Sequence, residues 1–554
     1  MVHLHESFTI LFIIYFICIQ YAYAGNFKCK SLIFCNGPIL HAIQTARLFN
    51  ESKTFVDMPL LDKPENILNA FVDLPQNHTR EDLLDFVNKY FAPSGSDMML
   101  VEPSDWKHNP QIISDFKDNK LEDWVEYLHG KWKLLLRVFN HTECGSDCHS
   151  SLWVPNPFIV PGGRFREYYY LDSYFIVEGL LLSEMFDTVK GIIENYFYLL
   201  DKYDIIPNGG RVYYLNRSQP PLLTLMVDRY YEATRDLEFL TKSIPYLEKE
   251  YNFWMKHRKA NVDDRYKSNL NLYNVDSTDP RPESYMDDII TSMKLSTEEG
   301  RNKLFKNLAS GAESGWDFSS RWFENTNDIT SIKTSDIVPV DLNSILFKVE
   351  MIISKFHNTL GNSLKSHIYL KKAKIRQILI QNYMWNKEQC LWNDYHLDTK
   401  LKNSNLYMSN VLPLWAGVRT FSNDDEVDCI MNSLIPFGNF DGGLPTSLIL
   451  SGQQWDFPDG WAPMQFFFVD ALEKLNHTKS NFLAKQITEK WISNNYCTWK
   501  KTGYMFEKYN IKDVGNPGRG GEYVVQEGFG WTNGVALYFL QKYGKDIKLQ
   551  ECPN

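Results

Sequence analysis

Apolar residues in this chain recur at helical spacing, and that pattern restricts the fold more than any other feature. Between Tyr174 and Leu200 they fall at Val177, Leu180, Leu181, Phe186, Val189, Ile192, Ile193, Tyr196 and Leu200, with Glu178, Asp187, Lys190 and Glu194 interleaved. Steps of three and four line one face of an α-helix. Similar stripes run from Ser344 to Phe356, Ser366 to Met384, Met464 to Leu475 and Phe482 to Trp491. Strand-like alternation is scarce, so the chain reads as all-α. Between the stripes lie turn-rich loops, and these hold the unusual residues: IPNGGR from Ile206, DPRPESY from Asp279, SGWDFSSRW from Ser314, QWDFPDGW from Gln454 and NPGRGGEY from Asn516. Helices that present polar and aromatic loops at one end suit a substrate pocket. No exact repeat is found, yet the recurring unit of helix, loop and helix implies paired helices wrapped into one closed ring.

With 554 residues and 44% hydrophobic composition the chain buries a large core. An apolar run from Phe8 to Ile19, followed by Ala22-Tyr23-Ala24, reads as a cleaved secretory leader over residues 1–24. That run is too short to span a bilayer, and no other apolar stretch approaches the ~20 residues a membrane helix needs. The short polar C-terminus, KYGKDIKLQECPN, lacks a lipid-anchor tail. The mature protein, 25–554, is therefore expected to be a single secreted, extracellular domain without a stable membrane anchor. Its eight cysteines suit an oxidising compartment. Cys29 with Cys35 and Cys144 with Cys148 are the close pairs, and the spacing of Cys390, Cys429, Cys497 and Cys552 leaves buried free thiols open among them. Glycosylation sequons stand at Asn50, Asn77, Asn140, Asn216 and Asn476.

A net charge of −10 without a clustered basic face argues against a nucleic-acid partner. The thirteen histidines show no metal-ligand spacing, so neither a metal nor any other cofactor is expected, and phosphate-loop and nucleophile-elbow motifs are missing. Oligomeric state is left open.

The stretch PGGRFREYYYLDSY, Pro161 to Tyr174, packs two glycines, two arginines, two carboxylates and four tyrosines into one segment. Glycines let the backbone approach a ligand, arginines offer forked donors, and rings offer flat faces for a sugar. An ordinary buried aromatic segment after a glycine turn is the alternative. The segment resembles the first signature of the trehalases, glycosidases that split α,α-trehalose into two glucoses. Gln453 to Pro463, QQWDFPDGWAP, resembles the second, and LFNESKTFVDMPL, Leu48 to Leu60, resembles the opening of the family's N-terminal arm, here residues 25–80. The resemblance runs from about Cys35 to Tyr543. It implies an α/α barrel of six helical hairpins, an (α/α)6 toroid, and trehalose as substrate.

Glycosidic hydrolysis uses two carboxyl groups. Resemblance assigns the general acid to Asp317 of ESGWDFSSRW, flanked by Trp316 and Phe318, and the general base to Glu507 of MFEKYN. Locally, Asp317 also reads as a helix N-cap and Glu507 as a solvated partner of Lys508. Inversion requires about 6.5–9.5 Å between the two groups and releases one α- and one β-glucose. The same resemblance implies a binding set of Arg164, Phe165, Tyr169, Asp172, Asn208, Arg217, Gln219, Arg281, Glu283, Gly315, Trp461 and Glu522.

Two departures from the family pattern stand out. Leu171 replaces a tryptophan before Asp172, giving up a stacking face, and Arg519 interrupts the glycine-rich run before Glu522. They motivate two alternatives to an active trehalase: a sugar-binding protein that has lost turnover, and an α/α-barrel glycosidase for another glucoside. Retention of Asp317 and Glu507 speaks against the first, and the Arg217, Gln219, Arg281 and Glu283 set against the second.

Overall fold

The computed structural model describes residues 28–117, 119–141, 144–263, 268–421 and 423–553, so the expected leader lies outside the described residues. Twelve helices form the body, labelled α1–α12 in chain order: α1 (Glu122–Leu135), α2 (Tyr170–Leu182), α3 (Phe186–Tyr203), α4 (Leu223–Thr234), α5 (Leu237–His257), α6 (Val340–Thr359), α7 (Ser363–Tyr383), α8 (Leu412–Ala416), α9 (Asp424–Leu434), α10 (Ala462–Lys474), α11 (Thr478–Thr502) and α12 (Gly530–Tyr543). Even-numbered helices pack side by side in sequence, and α12 returns to α2, closing an inner ring. Odd-numbered helices lie outside them. This is the expected (α/α)6 barrel.

Sequence pattern separates the two layers. In α3, Val189, Ile192, Ile193, Tyr196 and Leu200 are buried while Asp187 and Asp201 meet solvent; each such aliphatic side chain contributes roughly 1.5–3 kcal/mol on burial. Inner helices are more fully covered, α2 most of all. Every residue of α2 from Tyr170 to Leu180 is buried. The stripe read as continuous from Tyr174 to Leu200 is consequently two helices, with the chain turning at Ser183–Met185 through Glu184 at φ 58°. Periodicity cannot mark that break, because an all-round apolar helix has no preferred face. Ring closure depends on glycine. A Cβ on Gly534 of α12 would stand 2.0 Å from the carbonyl oxygen of Phe175 in α2, and one on Gly179 would stand 2.7 Å from the Gly534 Cα.

Connections alternate in length. Those leaving an inner helix are short, such as Arg235–Asp236 and Leu360–Asn362, whereas those entering one are long: 136–169, 204–222, 258–339, 384–411, 435–461 and 503–529. All the long ones therefore gather where the inner helices begin. Small antiparallel sheets that alternation did not reveal fasten them. Asp459–Trp461 pairs with Lys508–Asn510, setting Trp461 opposite Lys508, and Met98–Leu100, Leu136–Phe139 and Phe158–Ile159 form a three-stranded sheet. Strands of two to four residues are too short to carry a period.

The N-terminal arm packs beside the barrel through helices Pro38–Thr45, Ser52–Val56 and Pro64–Val72. Ile39, Leu40, Phe55 and Val56 join Tyr169, Tyr213 and Tyr214 in a second apolar cluster. Buried ions fasten this contact: Lys53 lies 2.5 Å from Glu167 and 2.8 Å from Asp57, and Arg211 lies 3.0 Å from Asp97. Such charges persist in an interior only when paired.

Disulfides join Cys29–Cys35 and Cys144–Cys148 as the spacing indicates, and also Cys390–Cys429 and Cys497–Cys552, so these last four are bonded rather than free. Asn50, Asn77, Asn140 and Asn476 are exposed, and Asn216 is half-buried. Among the described residues no helix is long and apolar enough to cross a membrane.

Candidate active site

The long connections enclose a cavity of about 700 Å³, and all fourteen residues singled out above line it. Residues 136–169 and the first turn of α2 contribute Arg164, Phe165, Tyr169 and Asp172; 204–222 contribute Asn208, Arg217 and Gln219; 258–339 contribute Arg281, Glu283, Gly315 and Asp317. Trp461 closes the connection 435–461, and Glu507 and Glu522 come from 503–529. Among the described residues, 384–411 supplies no lining residue.

Local sequence explains the placement. At Gly162, φ is 139° and a Cβ would meet the Glu527 carbonyl oxygen at 2.7 Å, so the first signature lies directly against the loop that carries Glu507. The backbone N–H of Arg164 donates to Gln526 Oε1 at 2.7 Å, tying the two together. Leu171 N–H, at the uncapped start of α2, donates to Gln219 Oε1 at 2.8 Å. The second signature grips the acid loop: Gln454 Nε2 donates to the Asp317 carbonyl oxygen at 2.6 Å, and the Asp456 carboxylate accepts from Ser319 Oγ and Ser320 N at 2.9 and 2.7 Å. Behind the loop, Trp316 stacks on Trp455, and Trp455 stacks on Trp461 at 3.9 Å between centroids. Trp461 thus anchors the core and walls the cavity at once.

The arginines are fixed before any ligand arrives. Arg217 donates through Nε to Asn208 Oδ1 at 2.9 Å and through Nη2 to Glu283. Arg281 forms a fork on Asp288, with Nε at 3.0 Å and Nη2 at 2.7 Å, and Nη2 also reaches Glu522 at 2.7 Å. Pre-ordered guanidinium groups bind polar ligands with little further loss of freedom. Asp172 Oδ1, Glu283 Oε2 and Glu507 Oε2 are buried without a partner among the described residues. Buried acceptors of this kind are costly unless a ligand completes them.

The carboxyl groups differ in environment. Burial pushes Asp317 up to about 7, the negative charge of Glu522 adds to the effect, and Arg281 opposes it. It caps no helix; Ser319 caps the following turn. Glu507 is 2% exposed and is not a solvated partner of Lys508, whose Nζ donates to Gln454 Oε1 at 3.0 Å. Burial raises Glu507 as well, while Lys508, Arg164 and a 2.6 Å hydrogen bond from Tyr523 Oη favour its anion. Asp172 is driven well above the carboxylate range by burial and then by the charge of Glu507. Of this neighbouring pair, Glu507 has the cations and the phenol donor, so the negative charge settles there and Asp172 holds a proton. Among the described residues no group of three or more His, Cys, Asp or Glu could hold a metal ion.

Sequence reasoning missed Lys53, Tyr214, Trp455, Tyr523, Phe529 and Trp531, which also line the cavity. Tyr523 follows Glu522 directly, and Trp455 lies inside the second signature, so both were within reach. Trp531 sits in an apolar helix and looks like core. Lys53 lies far away in sequence. Of the two departures, Leu171 lines the cavity beside Gly315, and Arg519 is not among the residues that line it. Arg519 donates through its backbone N to Asp459 Oδ1 and through Nη2 to the Phe457 carbonyl oxygen, both at 2.9 Å. It stitches the glycine-rich loop to the second signature.

This architecture has counterparts among known proteins. The trehalase family model matches residues 47–544. A trehalase from Dictyostelium discoideum is 45% identical over 551 residues, covering 95% of this chain and 93% of that protein. Human trehalase is 43% identical over 531 residues, covering 93% of this chain and 90% of its own. Among solved structures, the neutral trehalase Nth1 from Saccharomyces cerevisiae superposes with a TM-score of 0.56 at 24% identity, covering 70% of this chain and 73% of that one, and so shares the fold. A match that spans nearly the whole chain, on a barrel whose long connections converge on one carboxyl-lined cavity, shows that this protein belongs to the trehalase family of glycoside hydrolases.

Proposed function

We propose that the protein hydrolyses α,α-trehalose to two glucose molecules with inversion at the attacked carbon, Asp317 acting as general acid and Glu507 as general base. One observation carries the reading. One cavity brings together Asp317, pushed up to about 7 by burial, and Glu507, which burial also raises but whose cationic and phenol neighbours favour its anion.

In this mechanism Asp317 gives its proton to the glycosidic oxygen as the bond to the anomeric carbon breaks. Glu507 accepts a proton from a water that attacks the same carbon from the opposite face. The attacked glucose leaves as the β-anomer and the other as the α-anomer; Asp317 then regains a proton from solvent and Glu507 loses one. Arg217, Arg281 and Glu283 orient hydroxyls, Asp172 donates its proton in a hydrogen bond, and Phe165, Trp461 and Tyr523 keep bulk water out. No cofactor is needed. We further read the protein as secreted, which the leader pattern, four disulfides and four exposed sequons support.

The test is glucose release from trehalose, maltose and sucrose by the wild type, Asp317→Asn and Glu507→Gln, with anomers followed by NMR in the first minutes. Trehalose-selective release of both anomers in equal amounts, lost in both variants, is expected. Release of one anomer only, or full activity in either variant, refutes the assignment.

A further inference from the structure

Behind the active cavity lies a second cleft of about 820 Å³, comparable in size, formed by the segment Lys28–Asn36 and the loop Asp276–Pro282. The two cavities share a wall. Arg217 and Arg281 line both of them. The rear cleft presents Lys28 and the amides of Asn36 and Asn216 as donors, and the carboxylates of Asp276 and Asp279 as acceptors. Pro280, Pro282 and Tyr213 supply apolar faces. Donors and acceptors around a rim, with flat apolar faces between, match a neutral polyol, whose hydroxyls lie at its edge and whose C–H groups lie on its faces. An anion fits poorly, because two carboxylates face the one ammonium among the described lining residues, Lys28, which is already paired with Asp276. The guanidinium groups of the shared wall are already matched by Glu283, Asp288 and Glu522.

Two further features favour a ligand. Asn216 Oδ1 is buried without a partner among the described residues. The Lys28–Asp276 pair, at 2.7 Å, is more than half exposed on both sides, so a hydroxyl can replace it at small cost. The half-buried position of Asn216 also makes its sequon a poor acceptor for a glycan.

We propose that this rear cleft is a second binding site for a single hexose and that its occupancy is felt in the active cavity through the shared arginine wall. Asn216 adjoins Arg217, and Pro280 and Pro282 flank Arg281, so a sugar seated against them presses on the guanidinium groups that orient substrate. The inference rests on the hexose product of the reaction proposed above. Product glucose would then restrain turnover from outside the active cavity.

The test uses glucose as probe and two variants at exposed rim positions, Thr278→Trp, which fills the cleft, and Asp276→Ala, which removes an acceptor. In Glu507→Gln saturated with trehalose, equilibrium dialysis should still find one glucose per chain, weakened about tenfold by Asp276→Ala and abolished by Thr278→Trp. In the otherwise wild-type enzyme, both variants should lose a noncompetitive component of glucose inhibition while kcat/KM for trehalose stays within about twofold. Complete displacement of glucose by trehalose, or glucose binding unaltered in both variants, overturns the proposal. A protein that cleaves no trehalose refutes the function instead, and glucose binding to the two rim variants still decides whether the cleft is a site.

Discussion

Gly315 joins the helix Glu298–Ser314 to the acid loop, and replacing it with alanine probes how tightly that loop is placed. Its φ is 75°, and its N–H donates to the Ala312 carbonyl oxygen at 3.2 Å, ending the helix. A left-handed non-glycine residue costs about 1–2 kcal/mol. The new Cβ would also lie 2.6 Å from Leu171 Cδ2, an overpacking worth about 1–3 kcal/mol. Gly315→Ala should therefore destabilise by about 3 kcal/mol, read as a lower urea midpoint at unchanged slope. Asp317 lies two residues on, and a shift of about 1 Å there should lower kcat about 10²-fold. The steric share is separable. In a Leu171→Ala background the obstructing methyl is gone, so the cost of Gly315→Ala should fall by about 1 kcal/mol or more, a coupling visible in a double-mutant cycle. If Gly315→Ala changes stability by less than about 0.5 kcal/mol, or costs the same with and without Leu171, the reasoning fails.

Three other predictions are direct. Because Glu507 must be ionised and Asp317 protonated, kcat/KM should rise with pH as Glu507 loses its proton and fall through about pH 7 as Asp317 does; Glu522→Gln, which removes a negative neighbour of Asp317, should move the falling limb to lower pH, and an unmoved limb excludes Asp317 as the acid. Since Asp317 sits higher in the folded chain than its ordinary 3.8, its contribution is full below that value and lost as pH rises through about 7; Asp317→Asn should thus be inactive yet more stable than wild type at pH 8, by up to about 4 kcal/mol in urea unfolding. Arg519→Ala removes a half-exposed side chain whose one hydrogen bond goes to the Phe457 carbonyl oxygen, so it should cost less than about 1 kcal/mol and leave kcat nearly unchanged; a large loss of kcat would put Arg519 in the site.

Much of the site was legible because each signature does two jobs. In Gln453–Pro463, Trp455 and Trp461 wall the cavity while Gln454 and Asp456 hold the acid loop, so wall and loop are tied to one geometry. The rest depended on chain crossings that local sequence does not encode. Lys53 reaches the cavity only because the arm folds onto Glu167, and Asp288, which forks Arg281, looks like any acid in the first turns of a helix. The bonds Cys390–Cys429 and Cys497–Cys552 span 39 and 55 residues, too far for spacing to show. Stripes marked helices of both layers, α6 and α10 inside and α7 and α11 outside, but not the break between α2 and α3, since α2 is buried on all sides.

The meeting of Gly179 with Gly534 reaches back to synthesis. A nascent chain leaving the ribosome has made α2 long before α12 exists, and until the final helix emerges the Phe175–Gly179 face of α2 lacks its close partner at Gly534. Messages cut short within the last few dozen codons would thus yield an open crescent with an exposed apolar seam, a natural target for chaperones and proteases, rather than a slightly weakened enzyme.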